Sequence, residues 1–138
     1  MKAMEKVEIE TARVGDCYSG SCDLLPGWVV SHRGTFDEFR AYVAESIGFY
    51  LDCARKDGDS YPSVFDGDYE VVYKFDVQSL LQFYQGIFSF SALETITGIN
   101  QKQLAHYAAG RSKPRRQQRE KIASGLNSLA REMLQVTV

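Results

Sequence analysis

The chain has 138 residues, 44% of them hydrophobic and 25% charged, with 18 Asp/Glu against 16 Lys/Arg for a net charge of −2. That is enough to bury the core of one domain or two small ones. No apolar stretch approaches the roughly 20 residues that span a bilayer, and Met1-Lys2-Ala3-Met4-Glu5 lacks the apolar region of a signal peptide, so a soluble, cytoplasmic protein without a membrane partner is expected.

In chain order, Val7, Ile9 and Thr11 alternate with charged residues as a half-buried strand does, and Cys17–Asp23 and Trp28–His32 are short runs bounded by turn residues, with Leu25-Pro26-Gly27 between them. Thr35 and Glu38 form a capping box. It opens one long amphipathic helix that carries Phe36, Phe39, Val43, Ile47, Tyr50, Leu51 and Ala54 and runs to about Lys56. The Asp, Gly, Ser and Pro of the stretch from Lys56 to Gly67 break that periodicity, and Tyr69, Val71, Tyr73 and Phe75 resume strict alternation. The expectation for residues 1–75 is a β-β-β-α-β unit, one sheet with a helix on one face.

After Phe75 the pattern is helical. Asp76 is placed to cap a helix bearing Val77, Leu80, Leu81 and Tyr84, with Gly86 to end it. Ser91 with Glu94 reads as a second capping box, over a short helix that Gly98 stops. Asn100 with Gln103 reads as a third, over Gln101–Ala109, closed by Gly110. Pro114 is then expected in the first turn of a final five-turn helix, whose Ile122, Leu126, Leu129 and Met133 recur at intervals of 4, 3 and 4. The fold class expected is α+β, with residues 76–138 as an all-α second domain.

No internal repeat or low-complexity segment appears. The three cysteines, Cys17, Cys22 and Cys53, are odd in number and lack C-x-x-C spacing, and the chain holds only His32 and His106, so free thiols are expected and no metal site or cofactor. Charge is distributed unevenly. From Ile99 onward eight Lys/Arg face two Glu, a balance of +6, and the first 98 residues carry eight Lys/Arg and 16 Asp/Glu, or −8. Such asymmetry points to different partners for the two parts, the basic one nucleic acid.

From Ala92 to Gly110 the order is short helix, glycine-centred turn, capped helix. Gly98 can take the positive φ that turns the chain, Ile99 plugs the gap between the helices, and Leu93, Ile96 and Leu104 supply the walls. With Leu104, Tyr107 and Ala108 turned inward, Gln101, Lys102, Gln103 and His106 are expected to face outward. Gln pairs bidentately with adenine and Lys reaches guanine O6 and N7, so these four residues are candidate base readers. Asn100, Arg111, Lys113, Arg115 and Arg116 flank them as candidate phosphate contacts. The segment resembles the helix-turn-helix of the Cro and phage-repressor family, in which Gly-(apolar)-(Ser, Thr or Asn)-Gln precedes the recognition helix and Gly-x-x-x-Pro follows it. Glu94 stands where that family usually has alanine.

Gly15-Asp16-Cys17-Tyr18, Leu25-Pro26-Gly27 and Gly34-Thr35-Phe36-Asp37-Glu38-Phe39, with Ala44-Glu45-Ser46-Ile47 and Tyr50-Leu51, are similar to the HicB family of antitoxins. With the tail carrying Thr97-Gly98-Ile99-Asn100-Gln101, the chain looks like the helix-turn-helix subgroup of that family. The resemblance implies a degenerate ribonuclease-H-like domain, a small basic RNA-cleaving toxin as partner, and repression of its own operon through operator duplex DNA as a homodimer or higher homo-oligomer. Catalysis is not expected, because Glu8, Glu10, Asp16 and Asp23 read as scattered solvated acids rather than a converging metal set. The alternative is a free-standing repressor with a ligand- or partner-sensing N-terminal domain.

Overall fold

Inward-pointing apolar residues on alternate positions of β1 (Glu5–Val14) place Val7 and Ile9 at full burial, and Thr11 beside them satisfies its hydroxyl by donating to the Ile9 carbonyl at 2.9 Å. This strand is central to a four-stranded sheet in a computed structural model that describes residues 4–138. Met1-Lys2-Ala3, part of the segment read as lacking a signal peptide, lie outside the described residues. The protein is of mixed α+β type, with four strands and five α-helices among the described residues. It divides into two compact units, Met1–Asp76 and Val77–Val138.

In the first unit β2 (Cys17–Ser21) and β3 (Val29–Arg33) follow β1 as an antiparallel meander, and β4 (Tyr69–Phe75) adds to the other side of β1 in parallel, giving the order β3-β2-β1-β4. The parallel pairing needs a long crossover, and α1 (Phe36–Asp57) provides it. Thr35 caps α1 by accepting the Glu38 backbone N–H at 3.1 Å, and Gly58 ends it in the left-handed region at φ 73°. The helix buries Phe39, Val43, Ile47 and Leu51. Gly20 on β2 lets it approach the sheet: a Cβ there would lie 3.0 Å from Ile9 and 3.1 Å from Phe39.

The Leu25-Pro26-Gly27 turn is fastened to α1. Leu25 is buried, Trp28 Nε1 donates to Ser46 Oγ at 3.0 Å, and Tyr50 Oη donates to the Pro26 carbonyl at 2.9 Å. The segment read as a loop before β4 contains a short 3-10 turn, Ser63–Asp66, whose Phe65 is buried with its ring edge-on to Tyr69. The cysteines are free: Cys22 buried, Cys17 half-buried and Cys53 exposed. Burial pushes the Cys22 thiol pKa up, which keeps it protonated and unreactive.

The second unit packs α2 (Val77–Gln85), α3 (Phe90–Thr97), α4 (Gln101–Ala108) and α5 (Arg116–Met133) around Leu81, Leu93, Ile99, Leu104, Tyr107 and Ile122. Each such side chain contributes roughly 1.5–3 kcal/mol by leaving water. Among the described residues no helix is long and apolar enough to cross a membrane.

Three local expectations differ from what is observed. The cap of α3 is Ser89, whose Oγ accepts the Ala92 backbone N–H at 3.0 Å; Ser91 lies inside the helix. Ser91 alone fits the capping-box pattern, but the helix begins two residues earlier than that pattern implies, and the Glu94 carboxylate accepts the Gln101 N–H instead. Asn100 does cap α4, but Gln103 does not close a box with it and donates to Ser112 instead. Pro114 sits outside α5, whose N-cap is Arg115.

Candidate nucleic-acid interface

The turn between α3 and α4 is built from three interlocking devices. Gly98 takes φ 75° and its N–H donates to the Glu94 carbonyl at 2.8 Å. Thr97 is buried, and its hydroxyl donates to the Leu93 carbonyl at 2.7 Å while accepting the Ile99 N–H at 3.2 Å, so the buried turn leaves that donor paired. Ile99 then inserts between the helices at 4% exposure.

Two side chains cap the start of α4. Asn100 Oδ1 accepts the Lys102 N–H at 2.8 Å, and Glu94 Oε1 reaches from α3 to accept the Gln101 N–H at 3.0 Å. A carboxylate is favoured there by the partial positive charge of a helix N-terminus. With its carbonyl oxygen committed to the cap, Asn100 has only its amide N–H groups to offer a phosphate.

The C-terminal end of α4 is equally defined. Gly110 adopts φ 75°, its N–H donates to the Tyr107 carbonyl at 3.1 Å, and the Arg111 N–H reaches back to the His106 carbonyl at 2.9 Å, the paired bonds of a Schellman motif. Gln82 Nε2 on α2 donates to the Ala108 carbonyl at 3.0 Å. The helix is therefore clamped at both ends, and its rotation is set by burial of Leu104, Tyr107 and Ala108.

That rotation leaves Gln101, Lys102 and His106 exposed. Gln103 is placed differently: it is half-buried, and its Nε2 donates to Ser112 Oγ at 3.2 Å, which ties α4 to the segment after it. In that segment Arg111, Lys113, Arg115 and Arg116 are all exposed. Arg119 Nη1 donates to the Pro114 carbonyl at 3.0 Å and holds the loop to α5, while Arg116 Nε pairs with Glu120 at 3.0 Å. A pair this exposed contributes little to stability, so the guanidinium can exchange Glu120 for another anion at small cost. The result is a polar helix face followed by a strip of four exposed cations, matched to a polyanion with hydrogen-bonding edges.

Sequence reasoning missed Glu94, Thr97, Ser112, Gln82 and Arg119 as parts of this surface. Only the Asn100 cap carried a local signal; the others act across turns or between helices. In the first unit the acidic residues are dispersed. Glu8 and Glu10 share a face of β1 and lie 3.8 and 3.9 Å from Lys74 Nζ, and Asp16 lies 3.7 Å from Arg33. Among the described residues no group of three or more His, Cys, Asp and Glu is placed to hold a metal ion. Comparison of the chain with protein-family models, curated proteins and solved structures found no match.

Proposed function

We propose that this protein is a non-enzymatic antitoxin that binds a small basic RNA-cleaving toxin through residues 1–75 and represses its own operon through a helix-turn-helix in residues 76–138. The observation that carries the DNA half is the division of α4 into a buried face, Leu104, Tyr107 and Ala108, and an exposed one, Gln101, Lys102 and His106, continued by the cations from Arg111 to Arg116. Gln101 and Lys102 read base edges in the major groove, and the four cations hold phosphates. His106 borders the same groove. Gln103 positions the basic segment through Ser112 and reads a base only by releasing it.

The antitoxin half is supported by the resemblance to HicB antitoxins, by the β-β-β-α-β order of the first unit and by its acidity. The first unit holds eight Lys/Arg and 15 Asp/Glu, a balance of −7 that favours encounter with a basic protein and competes with RNA for it. One experiment addresses both halves. The protein is expressed from its native locus and captured, and its companions are identified. A small basic protein encoded beside it, together with a duplex from the upstream region, is the expected yield. A duplex without a protein companion leads instead to a free-standing repressor, and neither removes the proposal.

A further inference from the structure

Among the described residues β4 is an open edge of the sheet. It follows β1 residue for residue, from Glu5 opposite Tyr69 to Thr11 opposite Phe75, without a bulge, and β1 is its one neighbour. At residues 69–74 no backbone bond to another described segment adds to that pairing. The N–H and C=O groups of alternate residues therefore point away from β1 with no strand to meet them. Such edges are ordinarily blunted by shortness, proline, a bulge or a lysine. β4 has seven residues, no proline and a single lysine, Lys74, which lies toward Glu8 and Glu10 of β1. The inner face of the strand is unfinished as well. α1 packs chiefly over β3 and β2, and Val71 and Tyr73 are half-buried where their register partners, Val7 and Ile9, are fully buried.

We propose that β4 takes up an extended segment of a second protein as a fifth strand, and that this segment carries Lys or Arg. Charge decides the occupant. Between Lys56 and Lys74 the chain holds Asp57, Asp59, Asp66, Asp68 and Glu70 and no Lys or Arg. Asp66 is engaged by Arg55 and Tyr61. Asp68 and Glu70, at the start of the strand, are exposed and form no ion pair among the described residues; Lys6, opposite Glu70 in register, lies beyond that distance. The approach to the edge is therefore acidic, and opposite charges facing each other across a strand pair are favourable where like charges are not. Backbone bonds along β4 supply affinity, and an apolar residue at every second position of the guest covers the open flanks of Val71 and Tyr73. This use of β4 rests on the reading of residues 1–75 as the part that binds a basic protein.

The test uses the full chain and two fluorescein-labelled peptides about as long as β4, one of alternating Lys and Val and one of alternating Glu and Val. Anisotropy is expected to show the Lys-Val peptide bound and the Glu-Val peptide at least ~10-fold weaker. The Asp68→Lys/Glu70→Lys variant, altered only at exposed side chains and checked for its fold by circular dichroism, is expected to reverse that preference. Residue-resolved amide exchange with the Lys-Val peptide is expected to slow within β4 and not within β3. A Lys-Val peptide that does not bind overturns the proposal, and so does protection on β3 or a variant with unchanged preference. A free protein whose β4 amides become more protected as its concentration rises has its edge taken by a second copy, which also overturns it. Failure of the antitoxin reading registers separately, as a peptide that docks on β4 of a protein whose native locus yields no basic companion.

Discussion

The Glu94 carboxylate on α3 accepts the backbone N–H of Gln101, the first residue of α4, at 3.0 Å, so an acidic side chain sits at the end of the helix that faces DNA in the proposed reading. The contact does two opposed things. It satisfies a helix-terminal donor, and it places a negative charge where phosphates would approach in the proposed DNA reading.

Two substitutions separate those effects. Glu94→Ala should cost roughly 0.5–2 kcal/mol in urea unfolding, as the loss of a helix cap does. Glu94→Gln keeps an acceptor for the Gln101 N–H and removes the charge, so stability should change little and duplex affinity at low salt should rise. Equal affinity of Glu94→Gln and the natural protein at every salt concentration would place the phosphates away from this end of α4.

On the exposed face, Gln101→Ala should relax preference at one operator position, worth about 1–3 kcal/mol between the right and wrong base pair. Arg116→Ala should weaken binding to all sequences alike and lower the salt slope by about one. Fluorescence anisotropy against a selected duplex and its single-base variants, at several salt concentrations, measures both. If the two variants behave alike, the division between reading and holding is wrong.

Gly125 in the middle of α5 is a packing requirement. A Cβ there would lie 2.4 Å from the Ile96 carbonyl oxygen, a backbone atom that cannot yield without moving α3. Gly125→Ala should therefore lose roughly 1–3 kcal/mol, although alanine is the better helix former by about 1 kcal/mol. Gly48 on α1 has open space around its Cα, and Gly48→Ala should gain up to about 1 kcal/mol. Thermal unfolding of the pair should show opposite signs.

The Glu38 pKa is lowered below that of an ordinary glutamate, first by the hydrogen bond from the Thr35 hydroxyl, then by the Thr35 backbone and by His32. The native state thus binds fewer protons than the unfolded chain just below the usual glutamate range. Its contribution to stability is full above that range and is lost as pH falls through the depressed folded value. Carbon-13 titration should place the Glu38 carboxyl below the ordinary glutamate range, and Thr35→Val should raise it. An unchanged Glu38 midpoint in Thr35→Val removes the hydroxyl as the cause.

Local rules were sufficient for several of the features whose partners lie within four residues. Thr35 with Glu38, the left-handed Gly98, the Asn100 cap and the alternation of β1 are legible because each is decided by backbone geometry and the adjacent turn. The inward set Leu104, Tyr107 and Ala108 follows from helical periodicity, and with it the outward Gln101, Lys102 and His106. Ser91 with Glu94 fits the capping-box pattern better than Ser89 does, yet the helix starts at Phe90 and Ser89 caps it. Gln103 looked like half of a capping box until Ser112 was seen to be nine residues away and in reach.

By itself, then, the sequence determined the order of strands and α-helices, the caps at Thr35 and Asn100, most of the faces that are buried and the separation of charge between the two parts of the chain. Tertiary structure alone decided that β4 pairs in parallel with β1, that Glu94 reaches the start of α4 and that Arg119 anchors the basic loop. The physical reason is range. Periodicity and capping are set by neighbours along the chain, whereas strand pairing and carboxylate reach depend on which distant surfaces meet, and no local pattern encodes that choice.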